Sequence, residues 1–323
     1  MKGKRTVCFL IALFLMFALL ACTDGVPPGE LPGETTERVK TVVGAIDDPK
    51  FENGFNLRGL NNATDAGVVK VVNFGDAGTI PQWNIAQWWS KHNLKDGAES
   101  VTESDYILSD ASKTVTLKRK YGAISLGVRG SEEFASFNGV PPPAWPHLLI
   151  EQSLKDGMWL KDADEVAASL DFTLTKSENM RGGNLGFNAQ FAWFIYVADQ
   201  NPQSAGFGNF LWFGLNIYDS MKVYAPPVAR QDTAGGPGNY IFSVGAESFL
   251  SARVRVGQNN RFSYDILPDI KAALAKAREN GFMTGTDWRD CRLTGTNIGW
   301  EVFDRWDVDI TLFSIGIDLI RYS

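Results

Sequence analysis

The sequence predicts an all-β fold, a two-sheet antiparallel jelly-roll sandwich with one or two surface helices. Three observations carry this. β-branched and aromatic runs with period-two alternation dominate the chain beyond residue 50, turn residues separate them, and one long segment alone has both helix start and stop signals. Two stacked sheets bury such strands on their inner faces.

The first residues read as an address rather than a fold element. Lys2, Lys4 and Arg5 are followed by an apolar run from Cys8 to Leu20, and Leu19-Leu20-Ala21-Cys22 sets small or apolar residues before a cysteine. This resembles a bacterial lipoprotein signal over residues 1–21, cut before a lipidated Cys22. An uncleaved anchor is the other reading, although the run is short for a span of about 20 residues. Either way the chain is expected in the cell envelope, tethered to a membrane. Residues 22–50 are rich in Pro, Gly, Glu and Thr and read as a flexible tether. No later low-complexity stretch or repeat divides the chain, so 51–323 is expected to be one domain.

Strand candidates follow at 67–74, 104–109, 114–121, 145–152, 168–176, 187–198, 209–219, 240–245, 297–303 and 306–322. A helix is expected from near Asp265, with Pro268 in its first turn. Ile270, Ala273, Leu274 and Ala277 form its apolar stripe, and Gly281 stops it. A shorter helix is expected over 84–91. In 187–197 the odd positions are all apolar, whereas the even ones include Asn188, Gln190, Phe194 and Tyr196. The next strand sets Leu211, Phe213, Leu215 and Ile217 on one face and Phe210, Trp212, Asn216 and Tyr218 on the other. A plain solvent face would carry Lys, Glu and Thr, so this second face is either covered by a loop or made for a ligand.

Composition excludes several chemistries. The net charge is −6 and loss of the basic N-terminus makes it more negative; with no basic block after the first residues, nucleic acid is not an expected partner. Of three cysteines only Cys291 would remain a free thiol, so neither an intrachain disulfide nor a cysteine metal site can form. His92 and His147 cannot make a three-histidine zinc site, and no cofactor or metal is expected. Asp307 and Asp309 read as solvent-facing or paired with basic residues. No nucleophile elbow or phosphate loop occurs in a strand-to-helix setting.

Sugar rings have apolar faces and hydroxyl rims, so a sugar site needs flat aromatics beside amides and carboxylates. Ten tryptophans supply the platforms, and Trp212, Trp88 and Trp145 are the first candidates for exposure; Trp193 reads as core. In Trp145–Gln152, Trp145, His147, Leu149 and Glu151 share a face, with His147 and Glu151 about 13 Å apart along a strand. The plain alternative is that Glu151 pairs with an arginine and His147 satisfies a backbone carbonyl. Glu301 is the second carboxylate of interest. Glu151 and Glu301 can act as a hydrolytic pair only from neighbouring strands with matching faces. A lyase would instead use a base such as His147 or Tyr218, with Arg58, Asn188 or Gln190 neutralising a uronate.

Segments 81–94, 145–152, 210–219, 265–277 and 297–312 together resemble a group of exported bacterial lipoproteins with a concanavalin A-like or jelly-roll sandwich. That resemblance implies the fold and a carbohydrate-related setting, and it carries over no catalytic residue. The E-x-D-x-x-E pattern of laminarinase-like glycosidases and the Q-[IV]-H motif of alginate-lyase jelly rolls are both absent. The resulting expectation is a glycan bound in an aromatic-lined groove on the concave sheet, through Trp145, Asn188, Gln190, Trp212, Asn216, Tyr218 and Glu151. The acidic chain favours a neutral glycan. Cleavage by Glu151, Glu301 or His147, and a structural role with every tryptophan in the core, are the alternatives.

Overall fold

The computed structural model describes residues 38–60, 67–76, 78–134, 145–182, 186–233 and 238–323. The strands, in chain order, are β1 (Lys40–Gly44), β2 (Gly54–Arg58), β3 (Val68–Asn73), β4 (Trp83–Ala86), β5 (Ala98–Val101), β6 (Asp105–Ser109), β7 (Lys113–Lys118), β8 (Ala123–Arg129) and β9 (His147–Ser153). They continue with β10 (Glu165–Asn179), β11 (Ala189–Asp199), β12 (Phe210–Asp219), β13 (Val228–Gln231), β14 (Tyr240–Val244), β15 (Asn259–Asp265), β16 (Cys291–Val302) and β17 (Trp306–Tyr322). Two α-helices accompany them, α1 (Gly130–Glu133) and α2 (Leu267–Glu279).

The strands form two sheets of the expected sandwich. One has eight strands in the order β15-β10-β17-β8-β7-β6-β5, with β1 added on β17; the other has nine, in the order β13-β14-β12-β11-β16-β9-β4-β2-β3. The nine-stranded sheet is mixed rather than wholly antiparallel, because β12 and β14, and β2 and β4, run parallel. An ion pair between Lys70 on β3 and Glu99 on β5 links the edge strands of the two sheets.

The core lies between the sheets and takes the odd positions of β11 (Phe191, Trp193, Ile195, Val197) and Leu211, Phe213, Leu215 and Ile217 of β12, all buried. Three tryptophans, Trp83, Trp193 and Trp300, are fully buried with their indole N–H groups satisfied: Trp83 donates to the Asp48 carbonyl, Trp193 to Thr296 Oγ1, and Trp300 across the core to the Leu126 carbonyl of the other sheet. A buried indole needs such a partner. Helix α2 has the expected form, with Pro268 in the first turn and Leu267, Ile270, Ala273, Leu274 and Ala277 buried. Gly281 just beyond it adopts φ +83°, the left-handed conformation that ends a helix cheaply.

Two expectations are corrected. Residues 84–91 do not form a helix: Trp83–Ala86 is a strand between β2 and β9, since Trp83 and Ile85 alternate into the core while Asn84 faces outward. Lys40–Gly44, expected to lie within the tether, is instead a strand paired with the C-terminal end of β17. Asp307 pairs with a basic residue, as one of its two expected settings had it: it is buried beside Lys176 at 3.5 Å. The signal segment and Cys22 lie outside the described residues. Among the described residues no helix is long and apolar enough to cross a membrane.

Candidate active site on the outer face of the nine-stranded sheet

Register places the chemistry-bearing residues. Glu301 of β16 lies opposite His147 of β9 on one side and Gln190 of β11 on the other, and Gln190 lies opposite Asp219 of β12. Residues paired across adjacent strands share a face, so His147, Glu301, Gln190 and Asp219 form one row on the face away from the core. A second row runs parallel to it: Asn56, Asn84, Glu151, Asn297 and Phe194 on β2, β4, β9, β16 and β11. Between the rows lie Leu149, Gly299 and Ala192. A Cβ on Gly299 would stand 2.2 Å from the Leu148 carbonyl oxygen, so this floor position requires glycine.

Tyr218 does not belong to this face. The β11–β12 register jumps from Phe191↔Tyr218 to Ala192↔Asn216, which leaves Ile217 as the extra residue of a β-bulge. Past the bulge the alternation inverts. Tyr218 turns inward, its ring edge-on to Trp300 at 6.0 Å and its hydroxyl donating to Ser177 Oγ on the opposite sheet. Burial raises the pKa of its phenol. Tyr218 therefore cannot serve as a ligand contact or as a lyase base. The same inversion puts Asp219, which strict alternation from Phe210 assigns to the core, on the outer face, where it stays buried among its hydrogen-bond partners.

Glu301 is held in place. Its Oε2 accepts from Trp145 Nε1 at 3.2 Å and from Gln190 Nε2 at 3.1 Å, and His147 Nε2 is 3.8 Å away. His147 Nδ1 is 2.9 Å from the Trp145 carbonyl, which only accepts, so Nδ1 carries the proton. Nε2 then turns its lone pair toward Glu301 Oε2, 3.8 Å away. Burial holds the His147 pKa below the ordinary histidine value, against the pull of Glu301. Both parts of the plain reading hold as well: His147 serves a carbonyl, and Glu151 has Arg58 as its neighbour at 3.9 Å. Burial raises the Glu151 carboxyl pKa, partly offset by that guanidinium.

An aromatic wall stands beside Glu301. Ring centroids of Trp89, Trp145 and Trp88 lie 5.0, 5.9 and 6.1 Å from that of His147, and Phe303 is 4.7 Å from Trp145. All four are half-buried, which leaves ring surface for a ligand. Trp89 adopts φ +54°, a strained conformation for a bulky residue that surrounding bonds must maintain. They are present: Trp89 N–H donates to the Leu60 carbonyl and His147 N–H to that of Trp88, while buried Gln87 bonds the Arg58 carbonyl, Asn93 and the Leu94 N–H. Beneath the loop, fully buried Lys113 donates to Ser90 Oγ and the His92 carbonyl and pairs with Asp110 at 2.8 Å and Glu133 at 3.7 Å.

The remaining predicted contacts are mixed. Asn188 donates to Asp219 Oδ2 at 2.7 Å and so supports the row from its end. Asn216 Nδ2 donates to the Pro226 carbonyl, tying down a loop. Trp212 packs with Tyr196, Phe210 and Phe194 in an aromatic patch at the far end of the face. Glu151 and Glu301 are on neighbouring strands with matching faces, yet four residues of stagger set them about 13 Å apart along the strands. That exceeds the roughly 10 Å limit for a hydrolytic pair. Glu301 and Asp219 sit two strand spacings apart, about 9.5 Å. A cavity of about 470 Å³ lined by Tyr224, Pro226, Phe242, Glu247 and Asp269 contains none of these residues. Among the described residues no group of three or more His, Cys, Asp or Glu side chains is placed to hold a metal ion.

No protein-family model and no curated protein matches the chain. Solved structures of similar architecture include a family 12 xyloglucanase from Bacillus licheniformis in complex with ligand (TM-score 0.40, 12% identity, 71% of this chain and 98% of that one). Another is the xyloglucanase domain of NopAA, a type three effector from Sinorhizobium fredii in complex with cellobiose (0.36, 12%, 73% and 99%). A third is endoglucanase cel12A from Rhodothermus marinus (0.35, 9%, 71% and 96%). At these scores the likeness carries no weight for chemistry, which rests on the row of side chains alone.

Proposed function

We propose that the protein hydrolyses a neutral polysaccharide on the outer face of its nine-stranded sheet. One observation carries this reading: two carboxylates, Glu301 and Asp219, share a row of that face beside the tryptophan wall. Glu301 acts as the general acid and gives a proton to the leaving glycosidic oxygen as the C–O bond breaks. Asp219 takes a proton from the water that attacks the sugar carbon from the other side. Trp88, Trp89 and Trp145 offer apolar platforms to the sugar rings. A spacing of about 9.5 Å leaves room for that water, so anomeric inversion is the expected outcome. The acidic chain repels anionic glycans and favours a neutral one. Export and tethering through a lipidated Cys22 fit an extracellular polymer as substrate.

Glycan binding without cleavage is the second reading. A specific observation favours it: both Asp219 oxygens are already engaged, by Asn188 Nδ2 and the Met221 N–H. The test is incubation of residues 38–323 with hydroxyethyl cellulose, xyloglucan, xylan and galactomannan, with alginate and polygalacturonate as anionic controls. New reducing ends from a neutral polymer, lost by about 10²–10⁴-fold in Glu301→Gln and in Asp219→Asn, are expected. Retardation in an affinity gel without new ends would replace hydrolysis by binding. Unsaturated uronates from the controls would contradict both.

A further inference from the structure

We infer that Glu151 is a specificity residue rather than a catalytic one, and that with Asn56, Asn84 and Asn297 it forms a second station that recognises the hydroxyls of a neutral sugar unit remote from the cleavage row. This rests on the reading of the face as a glycan site. The four side chains lie on one line across β2, β4, β9 and β16. Their line runs parallel to the Glu301 row, about 13 Å away; Asn56, Asn84 and Glu151 are half-buried and Asn297 is buried beneath them.

The hydrogen-bonding atoms that this row leaves open define its ligand. Asn56 Nδ2 donates to the Pro81 carbonyl at 2.9 Å, and Asn84 Nδ2 approaches the Glu151 carbonyl at 3.5 Å. Carbonyls only accept, so both amide nitrogens are turned to the protein and their Oδ1 atoms are left for a ligand. Asn297 is turned aside too, its Nδ2 donating to Tyr196 Oη at 2.9 Å. Together with the Glu151 carboxyl this makes a row rich in acceptors, which suits O–H donors and rejects a uronate carboxylate. The Arg58 guanidinium balances the charge of Glu151 without a tight hydrogen bond between them, at 3.9 Å. Glu301 differs on every count: it is gripped by an indole and an amide and faces an imidazole.

The experiment compares Glu151→Gln, Asn56→Ala and Glu301→Gln on whichever neutral polymer the wild type cuts. For Glu151→Gln and Asn56→Ala we expect KM to rise about tenfold, equivalent to about 1.4 kcal/mol, with kcat within about threefold of wild type; Glu151→Gln should keep the wild-type thermal midpoint, whereas Asn56→Ala also loses its bond to the Pro81 carbonyl and should melt slightly earlier. A fall in kcat for Glu151→Gln comparable to that of Glu301→Gln would make Glu151 catalytic and overturn the inference, as would unchanged KM in both variants. If the wild type cuts nothing, affinity electrophoresis in the same polymers decides. Retardation lost in Glu151→Gln and kept in Glu301→Gln supports the station although hydrolysis has failed; retardation kept in both overturns it, and a wild type that none of the polymers retards overturns both readings.

Discussion

Ile217 decides the faces of two neighbouring residues. As the extra residue of the bulge it turns Tyr218 toward Trp300 and Ser177 and releases Asp219 to the outer face. Tyr218→Phe should therefore cost about 1 kcal/mol of stability through the lost hydrogen bond and leave activity unaltered, as denaturant titration beside an activity assay would show. Loss of activity at unchanged stability would restore Tyr218 to the site. His147 gives a second prediction. Its folded pKa lies below the ordinary value of about 6.5, so the unfolded chain binds a proton that the folded chain resists as the pH falls. Its contribution to stability is present above about pH 6.5 and is lost as the pH falls through the folded value. Thermal midpoints measured from pH 8 to 5 should decline less steeply in His147→Gln, by at most one proton's slope of about 1.4 kcal/mol per pH unit. Equal slopes would contradict this environment.

The loop after β4 functions as an element because it is anchored from below. Lys113, on β7 of the opposite sheet, has no exposed side-chain surface and ties Ser90 and the His92 carbonyl to Asp110 and Glu133. Glu133, from α1, also accepts the Lys91 N–H and the Ser112 hydroxyl. Burial pulls the Lys113 pKa down, and the two carboxylates oppose that pull. Lys113→Met leaves both carboxylates without their cation, so a loss of about 3–5 kcal/mol is expected. Adding Asp110→Asn and Glu133→Gln should recover part of it, and chemical denaturation of the series measures both effects. Because the knot sits beneath Trp88 and Trp89, intrinsic tryptophan emission should shift red at the same time. An unshifted spectrum would show that the wall does not depend on it.

At the scale of the whole molecule, the sandwich leaves one face of the nine-stranded sheet carrying amides, carboxylates and half-buried aromatics in rows. Two sheets suffice to bury the inner faces, so the outer face is free to be built for recognition. The proposed tether adds a location to that face. Cys22→Ala should move the full-length protein from the membrane fraction to the soluble fraction, and the wild-type mature N-terminus should carry a lipid mass; an unmodified Cys22 would remove the anchor.

Much of this was legible in the residues. The strands from β9 to β12, the odd-numbered core of β11, the stripe of α2 and the mixed aromatic and amide second face all follow from period-two and period-3.6 patterns, which are local. Trp145, His147 and Glu301 were identifiable by type as candidates for a site. Their meeting was not, because opposition of residues 147, 301 and 190 is a matter of strand order and register between segments far apart in the chain. Residues 84–91 misled because Asn-Ile-Ala-Gln-Trp-Trp has no clear alternation, and only the gap between β2 and β9 makes its first part a strand. Strand pairing alone decided that Glu151 and Glu301 stand too far apart to work together. The bulge alone put Asp219 where Tyr218 was expected, since one unpaired residue reverses every face beyond it.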